Sequence, residues 1–328
     1  MLAGDSLASD ISGKHVESLK PGSSDKQEST SSFPQDVLTV DVEDYFHVEA
    51  FADCISRENW AQFLPRVRPN TERILRLFAE YGCRGTFFIL GWVAERDPKL
   101  VRQIADAGHE LACHSHLHRR VSTLTPEEFR QDLRRARTAI EDAGGVRVQG
   151  YRAPTFSIRR DNLWALEILS EEDFLYDSSI FPIRHDLYGF PGSPRFAYRV
   201  QCRTGKTFFE VPMTTVRMLG ATWPFGGGGY LRLLPMSYTR WAIQRVHNNE
   251  QQRFVLYLHP WELDPEQPRI VAKWKSTFRH YTGLGSMERR LRELLSAGRF
   301  TPMIDLVSQL SSSDFTAALE TCPPSPAD

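Results

Sequence analysis

The sequence predicts an α/β protein folded as a distorted or partial (β/α) TIM-like barrel. Short apolar runs rich in β-branched and aromatic residues alternate with amphipathic helical segments, which is the pattern of a mainly parallel sheet covered by helices. Polar side chains also cluster where the apolar runs end. About seven or eight strand–helix units in 328 residues are enough for one closed or nearly closed barrel. We therefore expect a single barrel domain over residues 34–312.

The individual elements follow from hydrophobic periodicity. Strands are predicted at residues 36–41, 85–90, 110–114, 147–151, 174–177, 208–213, 254–259 and 300–304. Apolar residues spaced three and four apart predict helices at residues 71–81, 98–107, 126–143, 162–170, 238–248 and 287–297. Thr125 precedes the third of these helices as its N-cap, and Glu128 follows three residues later, which is the pattern of a capping box.

The two ends of the chain differ in composition from its middle. Residues 1–33 are rich in Ser, Lys, Asp and Gly and lack a sustained apolar period, so they cannot offset the entropy cost of ordering. Residues 313–328 have a similar character. We predict a disordered N-terminal tail and a flexible C-terminal tail.

Composition and charge argue against several classes of protein. The formal net charge is -1 with both signs interspersed, which is not the basic field of a nucleic-acid-binding protein. Five cysteines without a CxxC pair argue against a disulfide framework or a thiolate metal site. No run of about 18 apolar residues predicts a transmembrane segment. The N-terminus does not resemble a signal peptide, so we expect a cytoplasmic location, with association at the inner membrane face as one option and the periplasm left open. The sequence carries no signal for a particular oligomeric state.

The first predicted strand ends in three carboxylates within four residues. Asp41, Glu43 and Asp44 follow directly after an apolar run. A surface turn could also supply acids, but it would rarely follow a buried strand without a spacer. A bound cation would reduce the repulsion between the carboxylates. The pattern therefore favours a functional role.

The third predicted strand leads into three histidines within five residues. A spacing of four brings His114 and His118 to one side if the segment turns helically, and His116 then points elsewhere. Two imidazoles and one carboxylate leave positions open for water and substrate, which is the arrangement of a catalytic metal site. The cluster therefore predicts a metal centre at His114 and His118.

Later strand ends add further charged and aromatic side chains. Arg152 follows the fourth strand, Asp177 ends the fifth, and His259 follows the seventh. Ring side chains at the strand ends are candidates for contact with substrate. These candidates are Tyr45, Tyr151, Pro154, Phe156 and Trp261.

These motifs resemble those of the polysaccharide deacetylases of the NodB-homology type, carbohydrate esterase family 4, whose members share a distorted or partial TIM-like barrel. The resemblance covers nearly the whole chain outside the predicted tails. Asp41 matches the family's catalytic base, and the run HSHLH from His114 matches its His-Ser/Thr-x-x-His metal motif. Arg152 looks like the arginine that orients the base. Asp177 looks like the aspartate that supports the catalytic histidine, and His259 corresponds to that histidine.

One departure from the family pattern concerns the carboxylate ligand. The commonest first motif has two adjacent aspartates, the second being the ligand, whereas here Val42 follows Asp41. A subset of the family has Asp-x-Asp, which would make Glu43 the ligand, and Asp44 is the competing choice. Several segments, among them DVEDYFHVEAF, GGGGYLRLLP and HPWELDPEQP, resemble a narrower group, the deacetylases encoded with exosortase-type exopolysaccharide clusters of Gram-negative bacteria.

The resemblance implies a metal-dependent amide hydrolase that removes N-acetyl groups from amino sugars of a bacterial exopolysaccharide or oligosaccharide and releases acetate. It implies one divalent metal, most simply Zn²⁺, with Co²⁺, Ni²⁺ and Mn²⁺ as alternatives. Asp41 would take a proton from water, a backbone N–H near Tyr45 or Tyr151 would hold the oxyanion, and His259 would protonate the leaving amine. Two other functions stay open: hydrolysis of a cyclic amide or ureide such as allantoin, and noncatalytic glycan binding.

Overall fold

The computed structural model describes residues 35–185, 188–310 and 318–320, and a curled sheet forms its centre. In chain order the strands are β1 (Asp36–Val42), β2 (Thr86–Ile89), β3 (Glu110–Cys113), β4 (Gly150–Tyr151), β5 (Tyr176–Asp177), β6 (Tyr198–Gln201), β7 (Phe208–Glu210), β8 (Thr215–Met218), β9 (Ala221–Pro224), β10 (Val255–Leu258), β11 (Phe300–Thr301) and β12 (Ala318–Glu320). β8 and β9 form a separate hairpin. The other ten form one sheet in the order β10–β1–β2–β3–β4–β5–β7–β6–β12, with β11 also paired to β1.

The pairing of the strands is that of an open, partial barrel. Neighbouring strands of the main sheet are parallel, except that β6 and β7 are antiparallel. Within the described ranges no ladder joins β10 to β12, so the sheet does not close. The predicted distorted or partial barrel is confirmed, and all eight predicted strands are present.

The helices lie between the strands, as predicted. They are α1 (Val67–Glu80), α2 (Gly91–Arg96), α3 (Pro98–Asp106), α4 (Pro126–Gly144), α5 (Trp164–Glu171), α6 (Gly228–Leu233), α7 (Met236–Glu250), α8 (Trp274–Tyr281), α9 (Leu284–Ala297) and α10 (Met303–Ser308). Six of them correspond to the predicted helices. The sequence did not predict α2, α6, α8 and α10, which have six to eight residues, a length over which a helical period is hard to recognise.

The side chains of the sheet form two separate apolar layers because successive residues of a strand point to opposite faces. Leu38 and Val40 of β1 belong to the large core between the sheet and the helices. Val37 of β1, Phe88 of β2 and Ala112 of β3 belong to a smaller cluster on the other face, inside the curl of the sheet. Alternate residues of each strand therefore face the helices, and the residues between them face the inside of the barrel.

The predicted N-terminal tail, residues 1–33, lies outside the described residues, as does most of the predicted C-terminal tail. Three residues of the latter, Ala318–Glu320, form β12 and pair in parallel with β6 rather than remaining unpaired chain. None of the helices in the described part of the chain is long and apolar enough to cross a bilayer.

Candidate metal and catalytic site

The inner face of β1 supplies the first polar groups of the site. Thr39 and Asp41 alternate with the core residues Val40 and Val42. Glu43, one residue beyond the strand, continues this alternation and lies on the same face as Thr39 and Asp41. All of these residues are buried. The alternation explains why Val42 follows Asp41: this position faces the helices, and the next inward position is that of Glu43.

Glu43 converges with two histidines of the loop after β3. One donor atom from each of Glu43, His114 and His118 lies within 4.8 Å of the others, and all three side chains are buried. Glu43 Oε2 lies 2.9 Å from His118 Nε2, yet no hydrogen bond to it has acceptable geometry among the described residues. A buried carboxylate oxygen and two imidazoles that face one another in this way fit a tetrahedral divalent cation such as Zn²⁺.

The hydrogen bond of His114 defines which of its nitrogens faces the cluster. His114 Nδ1 lies 2.8 Å from the Arg152 carbonyl oxygen, which can only accept, so Nδ1 carries the proton and Nε2 keeps its lone pair. Burial lowers the pKa of His114 to about 4. The imidazole is therefore neutral near pH 7, which is the state that binds metal. Burial would raise the pKa of Glu43, but His118 and His259 beside it lower the pKa well below its usual range.

The loop that carries the two histidines is not helical, which corrects the expectation that a helical turn brings them together. Ser115 and His118 have positive φ angles of 66° and 50°. These left-handed residues reverse the chain so that the rings of His114 and His118 come to 5.3 Å between centroids. His116 points elsewhere, as expected: its ring lies 3.8 Å from Glu95, and its backbone N–H donates to Asp132.

Asp44 does not join the histidines, so the competing assignment of the carboxylate ligand is corrected. Its Oδ2 accepts hydrogen bonds from the backbone N–H groups of Arg66 and Val67 at the start of α1, at 2.6 and 2.8 Å. Its Oδ1 accepts from the N–H of Tyr45 at 2.9 Å. Burial raises the pKa of Asp44 to about 6, although these N–H groups oppose the rise. Asp44 therefore fixes the start of a helix, and the Tyr45 N–H is not free to hold an oxyanion.

Arg152 is fully buried and holds Asp41 in place. Its Nη1 donates to Asp41 Oδ1 at 2.6 Å and to Thr39 Oγ1 at 2.7 Å. Its Nε and Nη2 donate to the carbonyl and hydroxyl oxygens of Ser178, and its guanidinium lies 4.0 Å from the ring centre of Phe88. Because Oδ1 of Asp41 is bound by the guanidinium, Oδ2 is the oxygen left to accept a proton.

His259 follows β10 and completes the polar cluster. Its Nε2 lies 3.4 Å from Glu43 Oε1 and 4.0 Å from Asp41 Oδ2, and its Nδ1 lies 3.4 Å from Glu262 Oε2. Burial alone would lower the pKa of His259, but Glu262, Glu43 and Asp41 together raise it to about 9. Arg232 Nε donates to Glu262 Oε1 at 2.9 Å, and this guanidinium offsets burial and keeps the pKa of Glu262 near 2. The three carboxylates therefore favour the protonated form of His259.

Asp177 does not support His259, which corrects the role implied by the family resemblance. Because successive side chains of a strand point to opposite faces, Asp177 faces away from the inside of the barrel, as does its paired residue Glu210 on β7. Its Oδ1 accepts from Ser179 Oγ at 2.5 Å, and the same hydroxyl accepts from the N–H of Ala153 at 2.7 Å. Asp177 thus braces the loop that follows Arg152.

The ring side chains predicted to contact substrate are all largely buried. Tyr45 packs edge to face against Phe46 and Phe63. Tyr151 faces the helices and packs against Phe129. These two positions are corrected from substrate contacts to core residues because of the faces on which they lie.

The other three predicted contacts are Pro154, Phe156 and Trp261, and they are buried as well. Pro154 is buried at the start of the loop after β4, and Phe156 packs against Tyr257 inside the barrel. The Trp261 ring stacks on both His259 and His280, at 5.0 and 4.2 Å between centroids, and its Nε1 donates to Glu43 Oε1 at 3.3 Å. Trp261 is therefore occupied in positioning the site and is not an open platform for a sugar.

Glu262 and Arg232 are site residues that the sequence analysis missed. Glu262 follows His259 by three residues within the quoted HPWELDPEQP segment, and this spacing was a signal that could have found it. Arg232 lies in the glycine-rich GGGGYLRLLP segment. At Gly228 of that segment a Cβ atom would lie 1.8 Å from Glu262 Oε2, so glycine leaves room for the carboxylate.

Fold and donor set together define a partial (β/α) barrel with a His–His–carboxylate cluster at the carboxyl ends of its strands. Residues 60–169 match the family model described as polysaccharide deacetylase, and residues 178–308 match one described as a domain of unknown function, DUF3473. Residues 60–169 therefore belong to a polysaccharide deacetylase domain.

Among curated proteins, the chain is similar to the peptidoglycan deacetylase-like protein FGM2 of Gibberella zeae, with 31% identity over 145 residues, 42% of this chain and 41% of that protein. The chain spans less than half of the length of the curated relatives it matches. A solved structure from Mycobacterium smegmatis, described as a polysaccharide deacetylase, shares 20% identity with a TM-score of 0.56 and covers 88% of this chain and 96% of its own. PuuE allantoinase shares 16% identity with a TM-score of 0.55 over 83% of this chain and 88% of its own. At these identities the likeness to both structures is one of fold.

Proposed function

We propose that this protein is a metal-dependent deacetylase that hydrolyses N-acetyl groups of amino sugars in a polysaccharide or oligosaccharide. The convergence of Glu43, His114 and His118 beside Asp41 and His259 carries the proposal. The match of residues 60–169 to the polysaccharide deacetylase model supports it. An exopolysaccharide is the substrate we favour, on the sequence resemblance alone.

In the proposed chemistry, activation of water and protonation of the leaving group are carried out by different residues of the site. A divalent cation held by Glu43, His114 and His118, most simply Zn²⁺, would polarise the acetamide carbonyl and make a water more acidic. Asp41 accepts the proton of the attacking water at Oδ2, because Arg152 occupies Oδ1.

His259 donates a proton from Nε2 to the departing amine. This nitrogen faces Asp41 and Glu43, and Glu262 on the Nδ1 side keeps the ring protonated. Glu262 and Arg232 therefore act through His259 as positioning residues. They take the supporting role that the family resemblance implied for Asp177.

The test is acetate release from N-acetylglucosamine oligomers by the purified, Zn²⁺-supplied chain. Loss of a general acid or base typically costs about 10²–10⁴-fold in rate, so Asp41→Asn and His259→Ala are each expected to lower kcat by that order. Asp142→Asn, the same kind of change on the exposed surface, is the control and should retain full activity. Parental activity in both site variants, or hydrolysis of allantoin without acetate release from the sugar, would contradict the proposal.

A further inference from the structure

Apolar side chains on α8 and on the irregular segment before it are exposed to solvent. Val271, Trp274 and Phe278 are 93%, 73% and 56% exposed. Within α8, Trp274 and Phe278 are four residues apart and so lie on one side of the helix, and Val271 precedes them in the chain. We call this region the 271–278 surface. Three large apolar side chains exposed in one stretch are a feature of interaction sites.

Cations surround these apolar side chains. Arg269, Lys273, Lys275 and Arg279 are all exposed, whereas Glu266 is the exposed acid of the same segment. Asp53, from a neighbouring turn, faces Lys273 at 2.7 Å. Lys275 Nζ lies 5.9 Å from the Trp274 ring centre, so the cation and the ring lie side by side on this surface. The surface combines exposed apolar side chains with an excess of positive charge.

The opposite side of the same segment is firmly anchored. His280 is buried and stacks on Trp261, and its Nε2 lies 2.6 Å from Gln267 Oε1. The Tyr281 hydroxyl accepts from the N–H of Ile270 and donates to the Pro268 carbonyl, at 2.7 and 3.1 Å. The exposed side chains therefore project from a fixed support, and turning them inward would require breaking these contacts.

We propose that the 271–278 surface docks on a membrane that contains anionic lipids. Aromatic and aliphatic side chains bordered by Lys and Arg are what an interfacial segment presents to lipid headgroups and the upper acyl chains. A glycan would favour flat aromatic rings, and Val271, the most exposed of the three, offers none. The proposal goes beyond the deacetylase function and does not depend on it.

The test is co-sedimentation of the whole chain with vesicles of phosphatidylcholine alone or mixed with phosphatidylglycerol. Binding is expected to the anionic vesicles and to weaken as salt is raised. Replacing Lys275 and Arg279 by Gln is expected to lower the partition coefficient by about five-fold for each cation removed. Replacing Trp274 and Phe278 by Ser is expected to lower it further at constant salt, because the apolar anchors are lost.

The matched control is a pair of exposed apolar residues on another element of the fold. Leu219→Ser with Trp223→Ser alters side chains that are 94% and 44% exposed on the β8–β9 hairpin and should leave vesicle binding unchanged. No binding to anionic vesicles, or an equal loss in this control, would overturn the proposal. A higher KM for a soluble oligosaccharide in the Trp274/Phe278 variant, with unchanged vesicle binding, would instead identify a glycan subsite. Sedimentation does not require turnover, so failure of the deacetylase function cannot imitate a change in vesicle binding.

Discussion

At the scale of single residues, the adjacent carboxylates Glu43 and Asp44 show how strongly surroundings decide a role. Both are buried and one peptide bond apart. Glu43 faces two imidazoles, whereas Asp44 accepts three backbone N–H groups and so behaves as a structural anion. The sequence placed an acid at each position but could not decide between them, because the choice depends on which face each side chain occupies.

Amide variants of these two residues are expected to have opposite effects. Glu43→Gln removes a metal donor and is expected to weaken Zn²⁺ binding by more than about 100-fold, since the loss of even a supporting group costs about 10–100-fold. Asp44→Asn is expected to retain metal affinity and to lower the free energy of unfolding by about 1–3 kcal/mol, because charged hydrogen bonds to α1 are weakened. Calorimetric Zn²⁺ titration and urea denaturation of both variants measure the two effects. Equal metal affinities in the two variants would contradict the assignment.

The pair Asp177 and Glu210 is a buried carboxyl dyad on the helix-facing side of the sheet. Burial raises the pKa of Glu210 well above its usual range, and the adjacent Asp177 raises it further. Burial likewise raises the pKa of Asp177, to about 6. One proton is therefore retained by the folded pair at a pH where the unfolded chain would release it.

This dyad predicts a pH dependence of stability. A raised pKa stabilises the folded state fully below the unfolded value, about 4.5 for Glu210, and that stabilisation is lost as pH rises towards the folded value. Glu210→Gln mimics the protonated acid and is expected to lose less stability between about pH 5 and about pH 8 than the wild type. Urea denaturation at both pH values measures this. The exposed variant Glu58→Gln is the control and should follow the wild type; an unchanged slope for Glu210→Gln would show that the dyad does not retain a proton.

At the scale of elements, the sequence predicted features that depend on neighbouring residues alone, such as the cap of a helix. The capping box before α4 is formed: Thr125 Oγ1 accepts from the Glu128 N–H at 3.2 Å, and Glu128 Oε2 accepts from the Thr125 N–H at 2.8 Å. The β8–β9 hairpin was not predicted. Its turn residues Leu219 and Gly220 both have positive φ, and Leu-Gly lacks the Asn-Gly or Asp-Gly signature of such turns.

Thr125→Ala is expected to lower the free energy of unfolding by about 1 kcal/mol, because the first turn of α4 loses its cap. Thr138→Ala makes the same change at an exposed position inside α4, where alanine is the better helix former. Paired chemical denaturation curves compare the two. A loss in Thr138→Ala as large as in Thr125→Ala would show that the effect is not one of capping.

At the scale of the whole molecule, the site is assembled from segments far apart in the sequence. Asp41 and Glu43 precede the matched deacetylase model, His114 and Arg152 lie within it, and His259 lies in the second matched region. Strand ends on one edge of the sheet could be predicted to meet, since parallel strands bring them together. The carboxylate partner of His259 could not be predicted in this way. Whether Asp177 or Glu262 contacts His259 depends on the face of β5 to which Asp177 points and on the turn after β10.

Metal binding is expected to stabilise the entire fold, because its donors come from the ends of β1 and β3. Free Zn²⁺ at about 100 times its dissociation constant would add about 2.7 kcal/mol to the free energy of unfolding, provided that the unfolded chain binds none. Thermal unfolding after chelation and after Zn²⁺ restoration measures the gain. Glu43→Gln is the control, in which the difference should shrink. Identical melting curves with and without metal would contradict the metal site.

The two hydrogen-bonding ends of Arg152 have a mechanical consequence. Its guanidinium donates a hydrogen bond to Asp41 at 2.6 Å, and its backbone carbonyl oxygen accepts a hydrogen bond from His114 Nδ1–H at 2.8 Å. Arg152 thus links the Asp41 carboxylate to the His114 imidazole through two hydrogen bonds and holds the distance between them. Thermal displacements of these two groups should be correlated, so that the span between them varies less than the position of either group in the barrel.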